Sequence, residues 1–309
     1  MTSIPASKLH GLVFGAFVAD SFALGPHWIY DGAEIRKRFE PLNNFQAPAT
    51  NYHPGKMAGD QTHLGDQAWL LAQSLQETGG VFQPTAFMRR WSDFWANPAT
   101  LSYRDKATRT TLENIARGID PLDAGSVSTE LAGMARGAPL AAVVLARGGD
   151  AASVAAALSD QASLTHESFL CDEAAHFLGL LLRGVCSGQS VNDALNEALP
   201  LAGTDVRAMI AKADDSALQS TDTAAAVEML GQSCDLSAAL PASILILRRA
   251  TSYEDAIMVN ALAGGDSAAR GLLIGAVLGA AHGIESIPQR WRSALKLAGP
   301  LANFCEMLK

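Results

Sequence analysis

Cysteine is scarce in this chain. Its four copies, Cys171, Cys186, Cys234 and Cys305, lie far apart and form no CxxC pair, which argues against a structural zinc and against a disulfide framework. A reducing cytoplasm is the expected setting. No run of Lys or Arg forms a stripe, and the formal net charge is -8, so the electrostatic footprint of a nucleic-acid binder is missing. The most apolar run, Gly271 to Ala281 (GLLIGAVLGAA), is too short to span a bilayer. The N-terminal stretch has one early Lys and an apolar run, but it is rich in Gly and carries Asp20 where a signal peptide would end in small neutral residues. No series of segments shows the period-two alternation of strands.

What is present is helix. The chain has 309 residues, 49% of them hydrophobic, enough to bury a large core. Apolar residues recur at three and four, as in Phe169, Ala174, Phe177, Leu181 and Leu182. The periodicity predicts helices over roughly 8–24, 66–77, 84–97, 104–117, 128–147, 150–159, 166–187, 190–199, 221–232, 235–249, 253–264 and 267–282. The turn clusters between them are too short for interdomain linkers. The expectation is an all-α chain folded as one domain over 1–309. From about Tyr30 to Gly65 there is little helical pattern, and a loop of that length usually serves a site or a lid.

Two helices share a feature. GLVFGAFVAD (Gly11 to Asp20) and GLLIGAVLGA (Gly271 to Ala280) both carry glycines four residues apart. Glycine costs roughly 1 kcal/mol against Ala inside a helix, so its repetition predicts closely approaching backbones and a central pair. Asp20 and Asp266 lie at the ends of these helices, where both can face one cavity.

Chemistry-bearing residues concentrate in three places. In GDQTHLGDQAWLL, Asp60, Thr62, His63 and Asp66 fall within seven residues; Asp66 reads as a helix cap or a ligand, and His63 favours a transition metal over magnesium. Gly264-Gly265-Asp266-Ser267 precedes a strong helix. Asp266 fits an N-cap there, while a Gly-Gly turn with free N–H groups can also seat a phosphate or carboxylate, with Arg270 on the same helical face. His27 and Trp28 in GPHWIYD are packing residues or a stacking wall for a flat ligand. His166 in SLTHES is expected to help start a helix capped by Thr165, and Cys234 would be a nucleophile only with a base and a depressed pKa.

Taken together, GLVFGAFVADSFALGPHWIYD, GDQTHLGDQAWLLAQSL, ELAGMARGAPL, SLTHES and NALAGGDSAARGLLIGAVLGAAHGIESIPQRW resemble the ADP-ribosylglycohydrolase family, on its crystallin J1-like side. The resemblance implies a single compact orthogonal helical bundle. It also implies hydrolysis of an N- or O-glycosidic bond of an ADP-ribosyl or related nucleotide or glycosyl substrate, that is, a small-molecule or ADP-ribosylated partner. The implied roles are catalysis by Asp60 and Asp66, metal ligation by Thr62, His63 and Asp266, and substrate binding by Asp20, His27, Trp28, Gly264, Gly265, Ser267 and Arg270. Magnesium is the family's cofactor by resemblance, but the ligand set is incomplete. His63 and Leu64 stand where hydrolytic members have two Asp, and Ala268 and Ala269 stand where they have an Asp and a Thr. The alternative is a non-catalytic crystallin J1-like ligand-binding or structural protein.

Overall fold

The computed structural model describes residues 3–309. Among them are 17 α-helices and three short 3-10 turns, with no strand beyond two isolated bridges, Ser126 with His166 and Glu130 with Asp235. The all-α expectation holds.

At the centre lie the helices Ala6–Ala23 and Ser267–His282, buried on nearly every face, as expected of helices that are apolar all round. Their glycines interlock. A methyl group added to Gly275 would sit 2.1 Å from the carbonyl oxygen of Gly15, and one added to Gly279 would sit 1.9 Å from that of Gly11. The backbones therefore touch directly, and no other residue type fits the seam. Tyr253, fully buried, donates its hydroxyl to the Gly15 carbonyl at 2.7 Å. Removing that hydroxyl in Tyr253→Phe should cost about 1 kcal/mol, measured by urea unfolding, because the carbonyl loses a bond that water cannot replace. Lys8 donates to the carbonyls of Val185 and Ala281, near the C-terminal ends of two helices, where a cation is favoured.

Several boundaries differ from the periodicity reading. The segment after Tyr30 contains a helix, Gly32–Phe39, whose only buried residue is Ile35; one apolar anchor leaves no recurring pattern. Helices Thr204–Gln219, Gln289–Ala294 and Ala298–Cys305 also fall outside the expected ranges. The span 128–147 breaks into Ala132–Ala135 and Ala138–Ala146, with Gly137 tight against Leu158 at the break. His166 does not start a helix: Ser168 is the N-cap, accepting from the Leu170 amide, and the helix begins at Phe169.

Candidate functional site

The end of the first central helix sets the site. Asp20 is fully buried and accepts two bonds from Thr62, from its amide at 2.7 Å and its hydroxyl at 2.6 Å. The Gln61 amide, with its nitrogen turned inward, donates to the same carboxyl at 3.0 Å. Burial pushes the Asp20 carboxyl up to about 7, although the two bonds from Thr62 pull the other way. Gly65 makes room for this arrangement, since a methyl group there would lie 2.1 Å from Asp20 Oδ2.

Thr62 in turn caps the helix His63–Glu77 by accepting from the Leu64 amide. Asp66 is therefore not the cap, as its position ahead of the apolar run had suggested. It lies in the first turn, where Lys56 and Ser102 both donate to its Oδ2. Burial raises its pKa, opposed by Lys56. Asp60 closes a loop turn by accepting from the Met57 amide and reaches Asp66 only through its charge.

His63 opens that helix next to two other imidazoles. His27, His53 and His63 are all buried, and each offers a ring nitrogen such that the three lie within 4.8 Å of one another. Trp28 packs on all three, with ring centroids 4.3, 5.7 and 5.3 Å away, and Tyr52 and Tyr103 meet it edge-on. Trp28 has φ +64, an uncommon backbone state for a bulky residue. It is held there by its amide bond to the Gly265 carbonyl and by this ring stack. Burial keeps the imidazoles neutral: His53 and His63 are lowered to about 3, and His27 falls well below its ordinary value. Two carboxylates flank the group. Asp266 Oδ1 is 3.9 Å from His27 Nδ1, and Asp105 Oδ2 is 3.6 Å from His63 Nε2.

The Gly264-Gly265 turn is closed. Its N–H groups are not free, contrary to the sequence expectation: Gly264 donates to Ala261 O, Gly265 to Ile29 O and Asp266 to Gln232 O. Both glycines have positive φ, and a side chain at Gly265 would collide with the Gln232 backbone. Asp266 is the N-cap of the second central helix, accepting from the Ala269 amide. Burial raises its carboxyl to about 6 against the pull of Arg270. Arg270 does not bond Asp266; it donates to Asn260 Oδ1 and to the Gly264 carbonyl, fully buried. Ser267 is buried alongside, its carbonyl accepting from Asn260.

Cys234 lies beside Glu130, which also faces His166 at 3.7 Å. Burial and Glu130 raise the thiol pKa, the opposite of the depressed pKa that an activated thiolate nucleophile has. Three residues of this site carry no signal of their own in the sequence pattern: His53 within a turn, Asp105 as the N-cap of Lys106–Ala116, and Glu130. Beyond pattern, a histidine inside the long Tyr30–Gly65 segment was the one signal available.

The described residues contain no helix long and apolar enough to cross a membrane. Among curated proteins no match is found. A solved structure described as an "ADP-ribosylglycohydrolase-related protein complex" is similar in fold, with a TM-score of 0.75 at 22% identity over 98% of this chain and 97% of that one. The family model for ADP-ribosylglycohydrolase matches residues 1–309. With the helical architecture and a match over its full length, this chain belongs to the ADP-ribosylglycohydrolase family.

Proposed function

We propose that the protein hydrolyses an N- or O-glycosidic bond at the ribose C1 of a small ADP-ribosyl or related nucleotide substrate, with Asp66 as the acid–base group. Asp66 supports this reading because both its bonds fall on Oδ2, from Lys56 and Ser102, while burial raises its affinity for a proton. A carboxyl tuned upward is the better general base. Water adds to C1 as the C1–N or C1–O bond breaks; Asp66 takes the proton from the water and passes it to the leaving group, so that OH ends on C1 and H on the departing N or O. Asp60, whose carboxylate accepts from Met57, is the weaker candidate. In this reading Asp266, whose carboxylate lies 3.9 Å from His27, holds a ribose hydroxyl. Asp66→Asn should lower turnover of an ADP-ribosylated substrate by about 100-fold or more with the fold intact. Unchanged turnover in that variant, or no release of ADP-ribose by the wild type, would sink the proposal.

The residues present do not fit the magnesium pair that the family resemblance implies. Leu64 is 2% exposed and Ala268 and Ala269 are 0% exposed, all packed into the core. The Thr62 hydroxyl is engaged by Asp20 and Leu64. Magnesium prefers near-octahedral oxygen ligands and gives up water reluctantly, so millimolar magnesium should leave the melting temperature unchanged. A ligand at a hundredfold excess over its Kd would add about 2.7 kcal/mol; a clear magnesium-dependent rise abolished by Asp266→Ala would contradict this. The same apolar substitutions favour a second reading, a crystallin J1-like protein that binds such a ligand without turning it over. Equilibrium binding of ADP-ribose with no hydrolysis would select it.

A further inference from the structure

We propose that His27, His53 and His63 form a binding site for a divalent transition metal of the zinc class. The proposal goes beyond the hydrolase reading and does not depend on it. The three residues come from three separate places: the turn after the first central helix, a turn in the following loop, and the first position of the helix His63–Glu77. Each is at most 2% exposed, and their nitrogens converge to within 4.8 Å. Zinc–imidazole bonds of about 2.0–2.1 Å in a tetrahedral site set ligand nitrogens roughly 3.3 Å apart, so each ring needs to move by about 0.8 Å or less.

Their hydrogen-bonding state points to a ligand. Both ring nitrogens of His27 and of His53, and Nδ1 of His63, are buried without a partner. Buried polar atoms are normally satisfied, and each orphan costs roughly 1–3 kcal/mol. Three imidazoles stacked for packing alone would carry that cost with no return, whereas one cation satisfies a nitrogen on each ring. The flanking carboxylates decide which nitrogens face it. Asp266 stands by His27 Nδ1 and Asp105 by His63 Nε2, as do the outer carboxylates that orient metal-bound histidines. That leaves His27 Nε2 and His63 Nδ1 for the metal, with His53 as third ligand. An all-nitrogen set suits zinc, cobalt, nickel or copper and discriminates against magnesium. Three protein ligands leave a fourth position for water or a substrate oxygen, the pattern of a site that does chemistry.

The test uses the full chain stripped with a chelator and titrated with zinc, cobalt(II) or magnesium alone. Expected are uptake of one zinc per chain, visible ligand-field bands with cobalt(II), a higher melting temperature with zinc, and no response to magnesium. His53→Ala should weaken zinc binding by about 100-fold or more, since even loss of an outer partner costs 10–100-fold. His63→Asn, which keeps a polar group beside Asp105, serves as a second variant if His53→Ala fails to fold. The exposed His176 changed to Ala should leave binding unchanged. Absence of stoichiometric zinc uptake overturns the proposal, as does uptake unaffected by both cluster variants. Zinc uptake without hydrolysis would support this site and reject the hydrolase reading; hydrolysis without any metal uptake would do the reverse.

Discussion

Gly275→Ala should destabilise the protein by about 3–5 kcal/mol or more, a large part of the roughly 5–15 kcal/mol that holds a domain folded. Helix propensity alone predicts the opposite, a gain of about 1 kcal/mol. The sterics prevail because the added methyl would meet the Gly15 carbonyl oxygen at 2.1 Å and the Ala19 Cβ at 2.7 Å. The first obstacle is backbone and cannot rotate aside, so the two central helices must separate and loosen every contact along their length. Gly279→Ala should behave alike, since its methyl would meet the Gly11 carbonyl at 1.9 Å. Gly299 supplies the control. It also lies in a helix, with nothing within 4 Å of an added methyl, so Gly299→Ala should be neutral or stabilising by up to about 1 kcal/mol. Urea unfolding of the three variants decides; a Gly275→Ala protein within about 0.5 kcal/mol of wild type would mean that the central seam is not as described.

Asp20→Ala should cost about 3 kcal/mol or more by the same measurement. The carboxyl accepts from the amide and hydroxyl of Thr62 and from Gln61, and its removal strands those donors in a site with no exposure to water. The loss spreads because Thr62 also caps the helix that begins with His63, and a displaced cap is worth about 1 kcal/mol more. Asp20 also predicts a pH dependence. Its carboxyl stands at about 7 in the folded chain against an ordinary 3.8, raised by burial. Between these values the folded state holds more protons than the unfolded one, so this group's contribution to stability falls as pH rises from about 4 to about 7 and is constant above. The difference in unfolding free energy between wild type and Asp20→Asn should therefore shrink over that window, and a gap independent of pH would show that the carboxyl titrates elsewhere.

Much of the scaffold was legible in local pattern. Glycines four residues apart on two apolar stretches imply a touching pair, because nothing else explains accepting glycine's entropic cost twice over. A carboxylate between Gly-Gly and an apolar run makes Asp266 a cap candidate, since the first amides of a helix need an acceptor, and the bond from the Ala269 amide selects that reading over an anion seat. At Asp66 the same kind of signal leaves a cap and a ligand open, and Thr62 four residues earlier takes the capping role. Both are good cap residues, and what distinguishes them is the Leu64 amide, which donates to the Thr62 hydroxyl. The helix Gly32–Phe39, with Ile35 as its one buried residue, lacked the repetition on which periodicity depends.

By itself the sequence determined the helical class and the central glycine pair and made Asp266 a cap candidate, which follow from spacing and side-chain chemistry within one segment; that Leu64, Ala268 and Ala269 stand in place of magnesium-type ligands is what the family resemblance implies. Only the tertiary structure decided that His53 joins His27 and His63, that Asp105 and Asp266 flank them, and that the Gly264-Gly265 amides are already bonded. The turn that carries His53 has no periodic face of its own. It is placed by contacts between distant parts of the chain, where Trp28 bonds Gly265 and stacks on all three imidazoles, and such pairings leave no trace in local spacing.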